Sequence, residues 1–209
     1  MVVNRFLGGD QVPTGRMLKD VVRQLIADGH DVTAVISRSQ YRANNGLNNA
    51  SFEGVRLIRL FKLPVGGRGV DWFIFWIQAA IIGPMLRWDR CLLLTDPPLM
   101  SAFLPYWRLA EKRHRVIWMW TMDLYPEALV ASGLISEKGV VNKLLRWINN
   151  AGLARLDGVI ALGERQLDRL ASYPALDRRY KRWFVVPPWD HRLIEVQEES
   201  SRSFAEAAG

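Results

Sequence analysis

Hydrophobic and polar positions follow two different periods, which alternate along this chain. Short runs of β-branched, aliphatic and aromatic residues predict buried strands, while apolar residues spaced three and four apart predict helices. The strand runs lie at 2–6, 32–37, 55–60, 90–95, 116–121 and 159–162, with a seventh candidate at 184–186. The helical patterns lie at 17–27, 99–112 and 140–153. This alternation predicts an α/β fold, a Rossmann-like doubly wound parallel sheet flanked by helices.

The longest apolar segment, residues 72–86, contains aromatic and aliphatic side chains. Gly83-Pro84, near its C-terminal end, is expected to end the helix. At about 15 residues the segment is shorter than the roughly 20 that a transmembrane helix needs. Two interpretations remain open for it. It is either a helix of the core or an amphipathic helix that rests in the headgroup region of a membrane.

Composition is that of a globular domain. The chain has 209 residues, of which 49% are hydrophobic and 23% are charged, and this length is enough to bury a sizeable core. We predict one domain over residues 1–190. Residues 191–209 are polar and small, which predicts a linker or tail leading to a further domain.

The net charge of the chain indicates which classes of partner to expect. A net charge of +7 and a pI near 9.9 suit either nucleic acid or an anionic membrane surface. The basic residues are dispersed and form no recognition helix, so we do not expect nucleic acid as a partner. Cys91 lies in an apolar run and is expected to be a packed core thiol. The three histidines lack ligand spacing, so no metal site is predicted, and the absence of a signal pattern favours a cytoplasmic location.

A glycine-containing loop follows the first predicted strand and contains Gly8, Gly9 and Gly15. Glycines allow close approach of a ligand to the backbone, and free amides at a helix N-terminus bind phosphate. The loop matches neither the Walker A pattern nor the dinucleotide fingerprint. An anion site and a plain turn with Thr14 as N-cap therefore both remain possible.

Acidic residues follow two of the predicted strands. Asp96 comes after the fourth, while Asp123 and Glu127 come after the fifth, in the run Asp123-Leu124-Tyr125-Pro126-Glu127. Ligands of open parallel sheets bind outside the carboxyl ends of the strands, so these carboxylates are candidates for chemistry. Each is equally suited to cap a helix, and the local sequence does not separate the two interpretations.

The order of these short motifs resembles the N-terminal domain of glycosyltransferase family 4, of the type that builds bacterial surface polysaccharides. The resemblance covers about residues 2–190 and depends on several motifs together. They are Gly29-His30-Asp31-Val32-Thr33, Gly54-Val55 with Arg59, Thr95-Asp96-Pro97-Pro98, the run 123–127, and Val159-Ile160-Ala161-Leu162-Gly163-Glu164. It implies the N-terminal, acceptor-side half of a GT-B fold.

The resemblance also implies a reaction and roles for these residues. A sugar would pass from a nucleotide sugar to an acceptor hydroxyl, on a lipid-linked glycan, with retention and without a metal or other cofactor. Asp123 would be catalytic, orienting the acceptor hydroxyl or accepting its proton. Gly8, Gly9 and Gly15 would approach the donor phosphates, and Asp96 and Glu127 would contact substrate.

The donor-binding C-terminal domain of the family is not recognised in this sequence, so we expect it to be supplied in cis or in trans. A lipid-linked acceptor would bring the domain to the inner face of the membrane as a peripheral protein. The alternative is a non-catalytic module, derived from the same domain, that binds a glycan or a membrane.

Overall fold

The computed structural model describes residues 1–7, 13–38, 53–62, 67–111, 115–176 and 182–189. Within them, seven parallel strands form one sheet in the order β3-β2-β1-β4-β5-β6-β7. The strands are β1 (Val2–Val3), β2 (Val32–Ser37), β3 (Val55–Leu60), β4 (Arg90–Leu94), β5 (Val116–Thr121), β6 (Gly158–Ala161) and β7 (Arg182–Val185). The order reverses between β1 and β4, as in doubly wound folds. The predicted fold class is therefore confirmed, and the seventh strand candidate is real.

Six α-helices connect the strands in the described ranges. They are α1 (Pro13–Ala27), α2 (Arg68–Met85), α3 (Leu104–Ala110), α4 (Glu127–Ala131), α5 (Val140–Leu153) and α6 (Glu164–Ala171). The helix predicted over 99–112 is divided into a 3-10 turn, Met100–Phe103, and α3. Pro105 explains where the α-helix begins, because proline has no N–H to donate and is accepted only in a first turn.

The two faces of the sheet carry two separate apolar clusters. Strand residues such as Leu93 and Met119 face α2, α3, α5 and α6 in the larger cluster. Their neighbours along the strands, such as Trp120, face α1 in the smaller one. Cys91 is buried in the larger cluster, and burial raises the pKa of its thiol to about 12, so the prediction of a core thiol is confirmed.

Helix α2 extends beyond both the start and the glycine-proline end predicted for it. Pro84 lies in its last turn, where it cannot donate to the carbonyl of Ala80. That carbonyl instead accepts a hydrogen bond of 2.9 Å from the indole N–H of Trp107. A Cβ on Gly83 would lie 2.0 Å from the Trp107 ring, so only glycine allows this close approach. The helix therefore continues because α3 replaces the missing donor.

One face of α2 belongs to the core, as one of the two interpretations predicted, and the membrane interpretation stays a prediction. Phe75, Ala79 and Ala80 are buried against the sheet and α3, whereas Phe73 and Ile81 are exposed. None of the described helices is long and apolar enough to cross a bilayer.

Candidate functional site

The carboxyl ends of β1, β4 and β5 lie side by side at one edge of the sheet, and the loops that follow them form the candidate site. The backbone N–H of Arg5, after β1, donates to the carbonyl of Asp96, after β4, at 3.1 Å. The backbone N–H groups of Met122 and Asp123, after β5, both donate to the hydroxyl of Thr95 at 3.0 Å. Three loops that are far apart in sequence are thus joined at this edge by hydrogen bonds.

Asp96 lies beside a cation at this edge. Its Oδ2 is 3.6 Å from Nε of Arg5, and the Arg5 guanidinium lies 4.5 Å from the centroid of the Phe6 ring. Burial raises the pKa of the Asp96 carboxyl; the positive charge of Arg5 opposes the rise and the negative charge of Asp123 adds to it. The charge of Asp123 is therefore close enough to affect the ionisation of Asp96.

Asp123 is exposed and does not cap a helix. Helix α4 begins at Glu127, its N-cap residue is Pro126, and no side chain caps its first turn. The interpretation of Asp123 as a helix cap is therefore wrong, because Asp123 lies three residues before the N-cap position. Thr95 fixes the backbone at Asp123, which leaves the carboxylate available to solvent or to a ligand.

Tyr125 is a third ionisable residue at this edge of the sheet, beside Asp96 and Asp123. Burial raises the pKa of its phenol, and the charges of Asp123 and Asp96 raise it further. A small pocket lies under the loops, lined by apolar side chains together with Thr95, Ser101, Asp123, Tyr125 and Asn149. Polar groups that follow β4 and β5 thus line one small pocket whose other walls are apolar.

The wall of this pocket is held by side chains that the sequence analysis did not identify. Ser101 donates to Oδ1 of Asn149 at 2.6 Å, and Nδ2 of Asn149 donates to the carbonyl of Tyr125 at 2.8 Å. Leu99, which also lines the pocket, has a φ of 59°, a conformation that leucine rarely adopts. No motif in the sequence points to Asn149, which lies inside α5. Thr95 belongs to the motif Thr95-Asp96-Pro97-Pro98 and could have been predicted as a site residue.

A glutamine joins the loops after β5 and β6. Oε1 of Gln166 accepts from the backbone N–H of Leu162 at 2.7 Å, and its Nε2 donates to the carbonyl of Met122 at 3.2 Å. The motif at 159–164 therefore supports the site through the helix that follows it.

Glu127 is placed differently from the other predicted site residues. Its Oε1 accepts hydrogen bonds from Arg146 and from the Tyr173 hydroxyl, the latter at 2.7 Å. Burial, with the carboxylate of Glu127 adding to it, raises the pKa of Tyr173, although Asn149 and Arg146 oppose the rise. Glu127 does not line the pocket that Asp123 lines, and its contacts join α4 to α5.

The predicted glycine site is only partly described. Gly8 and Gly9 lie outside the described residues, and Gly15 is buried as the third residue of α1. Helix α1 begins at Pro13, so Thr14 lies inside the helix and is not its N-cap. In the part of the chain that the structure describes, no three His, Cys, Asp or Glu side chains are grouped to hold a metal ion.

Comparison with models of protein families identifies the type of domain. Residues 14–189 match the family model described as a glycosyl transferase 4-like domain, a range that includes Asp96, Asp123 and Glu127. One similar solved structure is that of a ugt transferase from Siraitia grosvenorii in complex with UDP, with 10% identity and a TM-score of 0.45. The alignment covers 90% of this chain and 50% of that one, so the chain spans half of its length. No curated protein matches the chain.

Proposed function

We propose that this chain, which belongs to the glycosyl transferase 4-like domain family, is the acceptor-side, N-terminal half of a GT-B glycosyltransferase. The reaction is the transfer of a hexosyl group from a nucleotide sugar to an acceptor hydroxyl, with retention. The observation that carries the proposal is the pair of carboxylates, Asp96 and Asp123, that follow neighbouring strands; Asp96 lies beside Arg5, and Asp123 lines a small pocket.

Asp123 is the proposed catalytic residue. A group that orients or deprotonates an acceptor hydroxyl must be accessible to it and must be held in place. Asp123 is exposed, and the hydroxyl of Thr95 holds its backbone N–H at 3.0 Å. Asp96 is close enough to influence the charge of this site and would accept hydrogen bonds from other hydroxyls of the acceptor. Glu127 would act on the acceptor only through the helices that it joins.

The donor would be bound across the cleft by a second domain, supplied in cis or in trans. In this proposal the first loop, with Gly8 and Gly9, and the start of α1, with Gly15, approach the donor diphosphate. Backbone amides and the positive end of a helix would stabilise the leaving diphosphate, so that no metal or other cofactor is needed.

The proposed acceptor is a lipid-linked glycan of cell-surface polysaccharide synthesis, met at the cytoplasmic face of the membrane. The net charge of +7 supports a peripheral contact with anionic lipid. A nucleic-acid partner has no support beyond the same charge, because no recognition motif accompanies it.

The test is sugar transfer by the purified full-length gene product, measured as radiolabel moved from a set of nucleotide sugars to a lipid extract. We expect Asp123→Ala to lower the rate by about 100-fold or more, the usual contribution of a general base. Asp31→Ala is the matched control, because Asp31 is an exposed aspartate that precedes β2 at the opposite edge of the sheet.

Equal rates for the two variants would remove Asp123 from the catalytic role. Binding of the glycan lipid without any transfer would favour the alternative, a non-catalytic glycan- or membrane-binding module.

A further inference from the structure

Tyr125 is a half-buried residue of the candidate site that has no role in the proposed reaction. It lines the same small pocket as Asp123. Leu124, which lies between them in sequence, packs against the larger apolar cluster. Nδ2 of Asn149 donates to the carbonyl of Tyr125 at 2.8 Å, and the hydroxyl of Ser101 donates to Asn149 in turn. Both of these partners are buried, so the backbone at Tyr125 is held from inside the fold.

The hydroxyl of Tyr125 and the carboxylate of Asp123 are both available to a ligand. Among the residues that the structure describes, neither group forms a hydrogen bond or an ion pair. The phenol of Tyr173, by contrast, is buried and donates to Glu127 at 2.7 Å. Asp123 is exposed, and the hydroxyl oxygen of Tyr125 is not enclosed by the protein. Because both residues line one pocket, one ligand can contact both groups.

These two groups offer complementary hydrogen bonds. An ionised carboxylate only accepts, whereas a phenol donates as long as it keeps its proton. Burial, with the charges of Asp123 and Asp96 adding to it, raises the pKa of Tyr125 above the ordinary phenol value of about 10. The phenol therefore keeps its proton at neutral pH. A ligand that matches both groups must donate to Asp123 and accept from Tyr125.

The charges at this edge of the sheet indicate the charge of such a ligand. The charges that act on Tyr125 are the carboxylates of Asp123 and Asp96, and both are negative. The cation that acts on Asp96 is Arg5, whose side chain is 14% exposed and whose guanidinium lies over the Phe6 ring. An anionic group between Asp123 and Tyr125 would be repelled by the two carboxylates. A neutral group would meet no such repulsion.

We propose that Tyr125 is a substrate-binding residue, and that Asp123 and Tyr125 together bind two neighbouring hydroxyls of an uncharged sugar ring. One hydroxyl donates to the Asp123 carboxylate, and its neighbour accepts from the Tyr125 phenol. Sugar hydroxyls donate and accept as serine and threonine hydroxyls do, so a pair of them meets both requirements. The inference rests on the proposed function in calling this sugar the acceptor. Binding of the sugar requires no transfer.

The first test measures the binding of simple sugars to the chain by saturation-transfer NMR, without a nucleotide sugar. The probes are the methyl pyranosides of glucose, galactose and mannose. We expect at least one to bind saturably, and we expect Tyr125→Phe to weaken its binding about three- to tenfold, because one neutral hydrogen bond is lost. Tyr106→Phe is the matched control, since Tyr106 is 50% exposed on α3 and does not line the pocket. Thermal denaturation checks that both variants are folded.

The second test changes the charge of the sugar. The probes are the uronic acid and the 6-phosphate of the neutral glycoside that binds. We expect each to bind about fivefold more weakly than the neutral glycoside at low salt, and we expect added salt to narrow the difference. Asp123→Asn keeps the shape of the side chain and removes its charge, so it should narrow the difference as well. Asp31→Asn is the control, because Asp31 is exposed and precedes β2 at the opposite edge of the sheet.

Three results would overturn the proposal. They are the absence of saturable binding by all three neutral glycosides, equal binding by wild type and folded Tyr125→Phe, and an anionic derivative that binds as tightly as the neutral glycoside at low salt. A methyl glucosaminide that binds more tightly than the glucoside, with no loss in Tyr125→Phe, would reassign the site to a cationic group. Sugar binding without transfer would remove the proposed reaction alone, whereas transfer with none of these binding effects would remove this inference alone.

Discussion

Thr95 holds the backbone that carries Asp123, and Thr95→Val tests this role directly. Valine has nearly the same shape as threonine but lacks the hydroxyl, which accepts hydrogen bonds from the backbone N–H groups of Met122 and Asp123. Thr95 is 8% exposed, so the removal leaves an apolar methyl group facing two amide donors that have little access to other partners.

The expected cost follows from those two bonds. A typical hydrogen bond contributes about 1 kcal/mol net to stability, and a buried donor that is left unsatisfied costs about 1–3 kcal/mol. The Met122 amide is partly buried and Asp123 is exposed, so water can reach part of this loop. We therefore expect Thr95→Val to lower the free energy of unfolding by about 2–3 kcal/mol.

The assay is urea denaturation followed by circular dichroism, with hydrogen exchange to report on the individual amides. Thr95→Ser is the matched control, because it keeps the accepting oxygen and loses only a methyl group. We expect the serine variant to retain most of the stability, and the amides of Met122 and Asp123 to lose protection in the valine variant alone. Equal stability of the valine variant and wild type would refute the reasoning, as would equal losses in the two variants.

Three further predictions concern the same region. Burial raises the pKa of Asp96, so its charged form costs free energy at neutral pH and that cost vanishes below its unfolded pKa of about 3.9. We expect Asp96→Asn to raise Tm at pH 7 and expect the difference in Tm between variant and wild type to disappear below about pH 4. A variant with a lower Tm than wild type at pH 7 would contradict this expectation. Gly152→Ala should cost about 2–4 kcal/mol in urea denaturation, because its Cβ would lie 2.1 Å from the Ser101 carbonyl oxygen. Gly69→Ala, in a helix with nothing within 4 Å of the new methyl group, is its control and should be neutral or slightly stabilising. Glu127→Ala should cost about 2 kcal/mol, with Glu127→Gln recovering part of it, since the carboxylate accepts from a guanidinium and a phenol; no loss in either variant would deny it a structural role.

The fold class followed from the sequence because the periods of apolar residues are a local property. The predicted strand at 116–121 and the predicted helix at 140–153 coincide with β5 and α5. Parallel pairing follows from the same pattern, because each helix between two strands returns the chain to its starting edge. The ends of elements were less certain. The first strand is assigned only to Val2–Val3, although the chain beyond it stays bonded to its neighbours, as in the 3.2 Å bond from Asn4 to Val35.

The site was predictable only as far as its positions along the strands. Asp96 and Asp123 could be chosen because carboxyl ends of parallel strands meet at one edge. Their different surroundings could not be predicted, since Arg5 and Thr95 reach them from other strands. Glu127 satisfied the same local rule, yet its carboxylate is bound by partners that lie 19 and 46 residues away in sequence.

For helix α2 as well, the sequence predicted the element but not the surroundings of its side chains. Its sequence established an apolar helix, because local spacing and composition determine helix formation. Which apolar residues became core and which became surface depended on the helix that packs beside it. Trp107 of α3 fills the space over Gly83 and supplies the donor that Pro84 lacks, which fixes the rotation of α2 on the sheet. Sequence by itself determines what a segment can form, because backbone preferences are local; only tertiary contacts decide which side chains remain accessible, because their partners come from distant parts of the chain.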